Sequence, residues 1–508
     1  MIRFLLRRLL LALGTLFVLS VLVFFMVDLA LDPLDDLRGS TAPNKAELMA
    51  NRSAMLQLDQ PWYVRYWSWF TNFIQGNLGV AWRTQQPVSE LLQGAIATSV
   101  SLIFASTILA LLLGITVGIV SALRQYTSFD YSITFVSFVL YSLPVFWVAV
   151  LLKQYMAIGL NNFLNDPVLN WVPTIIVAVV AGLFWAGALG GDLRRKAITF
   201  ASAALITIVI WFFIVTSGWL DAPRIGWIGL AVIGLATAYG VTLAFAGMGN
   251  RKALLSAVTT AVAGVAMYFP LQWLWYYYQA SEVMLLLLLV VAVLMALGIG
   301  WLYGGPDRGV SMRGAAIVAV VMSVLTFIDR VMQVYPAYFG SSVIKGRPVA
   351  TIGAQTPNLK GDFWIFQLDT FMHLLLPTVA LVLISFASYT RYQRGSMLEV
   401  MSQDYIRTSR AKGLSERVVI TRHAMRNAMM PLASIIPVDL VALIGGAVIT
   451  ETIFGWRGMG KLFIDSLRQS EIDPIMAYIM ITGALAMIAN LVADFLYAVL
   501  DPRIRVNA

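Results

Sequence analysis

Long apolar segments alternate with short polar segments along most of this 508-residue chain. An uncharged stretch of about 20 residues is long enough to cross a bilayer as an α-helix. We expect an all-α polytopic membrane protein, because backbone in lipid must satisfy its hydrogen bonds within each helix. The pattern predicts about twelve spans, at residues 9–29, 97–123, 132–157, 172–190, 197–217, 226–246, 253–274, 283–303, 313–333, 371–391, 432–453 and 475–498.

Three polar segments interrupt this pattern. Residues 30–95 and 334–370 are long and mixed, whereas residues 391–431, which we call the basic island, carry eight Lys or Arg against three Asp or Glu. A charged segment between two spans must lie in water or on a partner. The segment 30–95 is also rich in aromatic residues. It either lies on the membrane surface, faces a partner, or forms an ordered loop that caps the bundle.

The basic residues predict the orientation of the chain, because cytoplasmic loops of membrane proteins are enriched in Lys and Arg. With the N-terminus inside, 21 of the 35 basic residues fall on the cytoplasmic side, the basic island included. The apolar run from Leu9 to Val27 is too long for the core of a signal peptide. We therefore expect an uncleaved first span and both chain ends in the cytoplasm.

Composition narrows the chemistry. Charged residues make up only 12% of the chain, against roughly 25% in soluble domains. There is no cysteine, which excludes disulfides and thiolate-bound metals. His373 and His423 are far apart, so we expect no metal site, and the sequence indicates no catalytic or cofactor-binding residue. The net charge of +9 follows from cytoplasmic loops, and we expect no nucleic-acid partner.

The centre of the basic island predicts a short helix that ends at a glycine. Asp404 to Leu414 is charged and compatible with a helix, and Gly413 can adopt the left-handed conformation that terminates one. Such an element docks into a groove of a cytoplasmic protein, or it is an ordinary positive loop that contacts anionic lipid. The residues alone leave both interpretations open.

Residues Gly455 to Lys461 have the G-x-x-x-x-G-K spacing of a nucleotide-binding loop. Leu462 follows in place of the Ser or Thr that binds Mg²⁺, and no strand precedes the segment. The predicted orientation also places it outside the cell. We interpret it as a tight turn between the last two spans.

Charged side chains inside predicted spans usually face the bundle interior or an aqueous path. Asp439 lies in the span 432–453. It either meets substrate on a translocation path or pairs with Ser434 or a group on another helix. Asp329 and Arg330 lie near a membrane boundary, where we expect them to pair or to extend toward the interface.

Several separated motifs follow one another in the order of a known family. They are Leu5-Leu6-Arg7-Arg8-Leu9-Leu10, Leu58-Asp59-Gln60-Pro61, Gly76-Asn77-Leu78-Gly79, Arg83-Thr84-Gln85-Gln86-Pro87-Val88, the segment Asp404 to Ala428, Glu451 to Gly460, and Asp501-Pro502-Arg503-Ile504-Arg505. Together they resemble the B-type permease of the dipeptide and oligopeptide ABC importers, over roughly residues 1–157 and 334–508.

The resemblance implies a six-helix permease subunit in a bacterial cytoplasmic membrane. Such a subunit passes di- or oligopeptides from an extracytoplasmic binding protein into the cytoplasm and has no ATPase site of its own. The implied partners are a homologous second permease and two cytoplasmic ABC ATPases, which hold ATP and Mg²⁺. The residues it assigns to ATPase coupling are Tyr405, Arg407, Thr408, Ser409, Arg410, Ala411, Lys412, Gly413 and Leu414.

Two features depart from the family pattern. Arg407 stands where the EAA-type coupling motif has Glu, and Thr408 and Ser409 stand where alanines follow it. The segment 158–333 inserts about six spans between an N-terminal half of the core, 1–157, and a C-terminal half, 334–508. Because the number of added spans is even, the basic island stays on the cytoplasmic side.

Two other classes of protein fit less well. An ion-coupled secondary transporter also has about twelve spans, but such proteins usually show two similar halves and midplane charges. A membrane enzyme needs a cluster of His, Asp or Glu at a membrane face. In this sequence the two halves do not match, charge within the spans is sparse, and no such cluster is present.

Overall fold

The computed structural model of this chain describes residues 2–39, 41, 43–247, 249–305 and 308–500, with all their side chains except those of 2–6, 434, 442–446 and 494–500. The motif Asp501–Arg505 and the side chain of Ser434, named above as a partner for Asp439, lie outside this part of the chain.

The N-terminal part, up to residue 165, forms eight α-helices and one small hairpin. They are α1 (Ile2–Ala30), α2 (Asp35–Arg38), α3 (Lys45–Met55), α4 (Trp62–Ile74), β1 (Val80–Ala81), β2 (Gln86–Pro87), α5 (Val88–Leu123), α6 (Ser128–Ser142), α7 (Val145–Leu152), a π-helical turn (Lys153–Gly159) and α8 (Leu160–Asn165). The two strands pair antiparallel, with Val80 opposite Pro87.

Six long helices follow, and we call residues 166–333 the middle segment. They are α9 (Trp171–Leu189), α10 (Leu193–Thr216), α11 (Gly226–Phe245), α12 (Arg251–Tyr277), α13 (Glu282–Gly304) and α14 (Arg308–Gln333). The C-terminal part consists of α15 (Tyr335–Phe339), α16 (Phe363–Met401), α17 (Asp404–Ala411), α18 (Glu416–Val418), a second π-helical turn (Val419–Ala424), α19 (Met425–Ala428), α20 (Met430–Gly446), α21 (Val448–Phe454), α22 (Met459–Arg468) and α23 (Ile472–Leu500).

The described residues include ten helices that are long and apolar enough to cross a membrane, or eleven if a bent pair counts as one span. The all-α prediction is therefore confirmed. The bent pair is the predicted span 132–157, which turns by 100° between α6 and α7. Pro144 is the N-cap of α7 there, and proline lacks the N–H that a continuous helix needs. The predicted span 432–453 is divided into α20, of 17 residues, and α21.

α16 crosses the bundle from one side to the other. The loop 334–362 precedes it and the rest of the basic island follows it. We call the side of the bundle where α16 starts, with the loop 334–362, the opposite end. The side where α16 ends, with the basic island, is the basic end. α16 packs against α5 along much of its length, and Cβ atoms added to Gly114 and Gly118 of α5 would lie 2.7 and 2.9 Å from the Cβ atoms of Tyr389 and Gln393. Small residues permit this close approach of backbones.

A buried ion pair ties α6 to α16 at the basic end. Arg394 donates to both carboxylate oxygens of Asp130, at 2.6 and 2.9 Å. Ser121 of α5 donates to the same carboxylate at 2.6 Å. Three core helices therefore meet at one buried carboxylate, which is hydrogen-bonded as a buried charge must be.

The aromatic segment around α4 packs against α1. The ring of Phe24 lies 5.5 Å from that of Tyr66 and 6.2 Å from that of Trp69. The hydroxyl groups of Ser20 and Tyr66 are hydrogen-bonded at 2.9 Å. Of the alternatives for residues 30–95, this contact favours an ordered element that caps the bundle.

The middle segment consists of a helix pair and a four-helix group. α9 and α10 pack on each other and lie beside α6 and α8, where Phe163 stacks on Trp211 at 5.6 Å. The helices α11 to α14 pack on one another. At the opposite end Trp275 of α12 meets Trp364 of α16, with ring centroids 5.0 Å apart. The middle segment therefore contacts the rest of the bundle on two sides.

Asp329 caps α11 instead of pairing with its neighbour Arg330. Its Oδ1 atom accepts from the backbone N–H groups of Ile225 and Gly226 at 2.7 and 2.8 Å, and its Oδ2 atom from Tyr268 at 2.8 Å. A carboxylate at a helix N-terminus satisfies N–H groups that have no partner within the helix. Arg330 lies over the Trp364 ring, 5.7 Å from its centroid.

Two asparagines before the middle segment bind the backbone of the loop that follows it. The Asn161 side chain donates to the backbone oxygen of Val349 at 2.8 Å and accepts from its backbone N–H at 3.0 Å. Asn165 donates to the oxygen of Gly346 at 2.6 Å. We call these bonds the asparagine clasp. They join the residues on either side of the middle segment.

Candidate coupling element and its surroundings

The start of the basic island lies on the last turns of α16. It has 39 residues, which at 1.5 Å each is about 58 Å, against about 30 Å for the hydrocarbon core of a bilayer. The helix breaks after Met401, and α17 begins at Asp404. The coupling residues predicted from the sequence therefore lie on a separate short helix and on the turn after it.

One apolar side chain anchors α17. Ile406 is 0% exposed and lies in a cluster with Met397 of α16, Val419 and Ala424 of the second π-helical turn, and Ala122 of α5. A buried aliphatic side chain stabilises such a contact by about 2 kcal/mol. The helix is thus held from one face only.

The other face of α17 and the turn after it are open. The exposed members of the predicted set are Tyr405, Arg407, Thr408, Arg410, Ala411, Lys412, Gly413 and Leu414. Ser409 is buried beside the anchor, and its hydroxyl donates to the Tyr405 carbonyl at 2.7 Å. Tyr405 also accepts a hydrogen bond from Asn427 of α19 at 2.8 Å, which connects α17 to the helix before α20.

An ion pair bridges the turn that ends α17. Nε and Nη2 of Arg410 donate to the Glu416 carboxylate at 3.1 and 2.5 Å. These hydrogen bonds lower the pKa of Glu416 and raise that of Arg410. Between the two residues Gly413 has a φ of +77°, the left-handed conformation expected from the sequence. Both charged groups are exposed, so the pair stabilises the turn by at most about 1 kcal/mol.

The basic island also touches the middle segment. A Cβ atom added to Gly247, in the turn between α11 and α12, would lie 3.0 Å from Nη1 of Arg417. Nη2 of the same guanidinium is buried and has no hydrogen-bond partner among the described residues. This turn of the middle segment therefore lies directly beside α18.

Asp439 contacts another core helix. Its carboxylate is hydrogen-bonded to the hydroxyl of Tyr389, which is almost fully buried on α16. Of the partners for Asp439 considered from the sequence, the structure therefore shows a group on another helix. It also places Asp439 apart from α17, on the adjoining helix α20.

At the opposite end, the G-x-x-x-x-G-K segment encloses a carboxylate of its own chain. Glu451 is 0% exposed and accepts from the Ser99 hydroxyl at 2.5 Å and from the Lys461 backbone N–H at 2.9 Å. Ser99 in turn accepts from the N–H of Met459 at 2.8 Å. A side chain at Gly458 would collide with the Glu451 carboxylate. The Glu451 carboxylate therefore lies at the N-terminus of α22, where the free N–H groups of a helix favour a negative charge.

Sequence reasoning missed two residues that organise these regions. Ile406 is an isolated aliphatic residue in a charged segment, which is a signal for an anchor. Glu451 has no signal in the sequence beyond its place in a family motif. Its partner Ser99 lies 352 residues away in the sequence, so no local pattern could have revealed the contact.

Two family models match parts of this chain. Residues 240–506 match the family described as the binding-protein-dependent transport system inner membrane component. Residues 1–103 match the N-terminal part of the membrane component of such systems.

Three relatives illustrate the similarity. The oligopeptide transport system permease protein AppB of Bacillus subtilis is 25% identical over 508 residues, which cover 99% of each chain. OppB, an oligopeptide permease protein of Mycobacterium tuberculosis, is 39% identical over 155 residues, which are 30% of this chain and 48% of that one. DppB, a dipeptide permease protein of Escherichia coli, is 42% identical over 138 residues, which are 27% of this chain and 41% of that one.

The last two matches cover less than half of each relative. Because the same aligned length is a larger share of OppB and DppB than of this chain, both relatives are shorter. The family match itself extends over more than half of the present sequence. This chain belongs to the family of inner membrane components of binding-protein-dependent transport systems.

Proposed function

We propose that this chain is the permease subunit of an ATP-driven importer that passes di- and oligopeptides from an extracytoplasmic binding protein into a bacterial cytoplasm. The observation that carries the proposal is α17, a short helix with one buried anchor and an open polar face, in a chain of this family. The cargo is inferred from the printed names of the relatives, which are oligopeptide and dipeptide permeases.

In this proposal ATP and Mg²⁺ bind to two partner ATPases, and a homologous second permease completes the path. The residues Tyr405, Arg407, Thr408, Ser409, Arg410, Ala411, Lys412, Gly413 and Leu414 transmit ATPase closure to the spans. The filled loop around Glu451 supports the assignment of ATP to partners, because a carboxylate already occupies the place of a phosphate. The ion-coupled alternative has no support from the family match.

The coupling assignment is tested on the assembled importer with the double variant Gly413→Ala and Arg410→Gln. Alanine at a φ of +77° is strained, and glutamine cannot form the ion pair. We expect the ATPases to co-purify poorly and peptide uptake to fall by about tenfold or more. Losing about 1.4 kcal/mol of binding free energy weakens binding tenfold.

Gly395→Ala is the matched control, since this glycine is exposed on α16 and an added Cβ meets nothing within 4 Å. Normal co-purification and uptake in the double variant would contradict the coupling assignment. Equal loss in both variants would show a general effect on folding.

We also propose that the middle segment is an insertion into a six-helix core formed by the N-terminal and C-terminal parts. The asparagine clasp supports this organisation, because it joins the flanks of the segment without using any residue inside it. The boundary then falls after Asn165, somewhat later than the residue 158 expected from the sequence. Deleting the middle segment, residues 166–333, while keeping the clasp tests the proposal, with retained uptake as the expected result and loss of the folded core as the contrary one.

The basic end faces the cytoplasm in this proposal, and both chain ends lie there. Reporter fusions in the α11–α12 turn and in the loop 334–362 test the orientation. We expect the first to be cytoplasmic and the second extracytoplasmic.

For Asp439, we propose a place beside the translocation path, where its bond to Tyr389 holds the carboxylate in position. Asp439→Asn keeps a hydrogen-bonding group but removes the charge. We expect selective loss of uptake for peptides with a free ammonium group, and equal loss for N-acetylated peptides would contradict this role.

A further inference from the structure

A cavity lies between α12, α13 and α14 of the middle segment. Its volume is about 340 Å³. Its walls are almost wholly apolar and include Met267, Leu289, Met295, Met322 and Phe327. Flexible methionine side chains suit an apolar ligand of irregular shape.

The cavity opens sideways between the helices. Val291, Met295 and Val324 line it and are about half exposed. These residues lie within helices long and apolar enough to span a membrane. In a bilayer the opening therefore faces hydrocarbon chains.

The cavity extends along the membrane normal. On α12 its lining runs from Thr260 to Trp275, a rise of about 22 Å. Half the hydrocarbon thickness of a bilayer is about 15 Å. An extended acyl chain of the leaflet at the opposite end therefore fits along it.

Polar donors without acceptors gather where the cavity reaches the opposite end. Among the described residues, the indole N–H of Trp275, the amide nitrogen of Gln272 and Nε of Arg330 are buried and have no hydrogen-bond partner. Trp275 is 6% exposed and lines the cavity. Its ring lies 5.0 Å from that of Trp364, and Arg330 lies 5.7 Å from the same ring, so Trp275 and Arg330 both contact Trp364. Gln272 precedes Trp275 by three residues on α12.

The carboxylate of Asp329, next to Arg330 in the chain, is already occupied. It accepts from two backbone N–H groups, from Tyr268 and from Gln333. Leaving a buried donor unpaired is unfavourable. A ligand that suits this site therefore combines an apolar chain with hydrogen-bond acceptors for these donors.

We propose that the middle segment binds a phospholipid, with one acyl chain in this cavity and with ester or phosphate oxygens as acceptors for Trp275, Gln272 and Arg330. A helix of a partner protein fits less well, because its backbone carbonyl groups are bonded within the helix. The inference is independent of the transported cargo. A bound lipid at Trp364 would connect the four-helix group to the start of α16.

The test uses the full chain in nanodiscs of phosphatidylglycerol and phosphatidylethanolamine, doped with a phosphatidylglycerol that carries a photoactivatable diazirine on one acyl chain. Mass spectrometry maps the labelled peptides. We expect labelling of α12, α13 and α14 at cavity residues to exceed that of α10, a helix without buried residues that samples ordinary surrounding lipid.

Two variants separate the cavity from the donors. Ala292→Phe fills the cavity and is expected to abolish the excess labelling, whereas Ala236→Phe, on an exposed face of α11 outside the lining, is expected to preserve it. Trp275→Phe keeps the ring but removes one donor. It should weaken retention of the native lipid through detergent purification about fivefold, which corresponds to about 1 kcal/mol.

Labelling of the cavity equal to that of α10 would overturn the proposal, since it would show surrounding lipid only. Unchanged labelling in Ala292→Phe would overturn it as well. Unchanged lipid retention in Trp275→Phe would overturn the polar half of the site.

Discussion

Two regions of the molecule, the loops around Glu451 and Asp369 and the short helix α17, hold their charged groups in contrasting ways. At the opposite end, Glu451 and Asp369 are buried and fully engaged, and Asp369 accepts from Tyr338 and from the backbone of Thr356, each at 2.9 Å. At the basic end, Arg407 and Arg410 are exposed, and a single buried apolar side chain, that of Ile406, anchors their helix. Saturated buried networks resist movement. An exposed charged face on a small anchor retains the capacity to bind a partner.

The largest effect is expected from breaking the opposite end at Glu451. Glu451→Ala leaves the Ser99 hydroxyl and the Lys461 N–H buried without their acceptor, which should cost about 3 kcal/mol. Thermal unfolding in detergent should show a clearly lower Tm. Glu399→Ala removes an exposed glutamate from α16 and serves as control. A Tm equal to that of the control would contradict the rigid network described for this end.

A smaller and more local effect is expected from Ile406→Ala at the basic end. Truncating a buried isoleucine costs about 2 kcal/mol or more, but here the loss falls on the attachment of α17. Hydrogen exchange of α17 should accelerate while the Tm changes little. Ile449→Ala truncates a half-exposed isoleucine and should do neither. A large fall in Tm for Ile406→Ala would show that the stability of the whole fold depends on the contacts of α17 as much as on those of Glu451.

The pH dependence of the opposite end supplies a finer test. Burial raises the pKa of Glu471 above its usual value of 4.5, although its carboxylate accepts from the Arg83 N–H at 3.0 Å. The folded state therefore holds this proton more tightly than the unfolded state. Stability is present below pH 4.5 and is lost as pH rises through the raised value.

Glu471→Gln removes this titration. The Tm of the unmodified chain should fall relative to that of the variant as pH rises from about 4 to 7, because only the unmodified chain loses the proton that its folded state binds more tightly. A Tm difference that stays constant over this range would contradict the raised pKa.

The smallest effect on stability is expected from Arg410→Gln. Exposed ion pairs contribute about 0.5 kcal/mol, and salt screens them, so the Tm should hardly change. Co-purification of ATPases should nevertheless fall, because the lost charge lies on the open face. A fall in Tm without loss of ATPase binding would reverse the contrast between the two ends.

The sequence predicts the spans and the coupling segment because both depend on local patterns. Hydrophobic length identified α5 and α16, and the left-handed glycine at position 413 followed from its place after a helix. The bend at Pro144 was missed because an apolar run continues through it, and hydropathy does not record direction. Contacts such as Asp439 with Tyr389 or Glu451 with Ser99 depend on how helices pack, which no single segment encodes.

The asparagine clasp has a consequence for biosynthesis. Asn161 and Val349 are separated by 188 residues, which a ribosome adds in about 10 to 40 s at 5–20 residues per second. Throughout that interval α5 and α6 are in the membrane without α16, the helix against which both pack. The order of synthesis therefore makes the early spans candidates for chaperoning by the insertion machinery, and pausing translation after residue 165 should make them a target for membrane proteases.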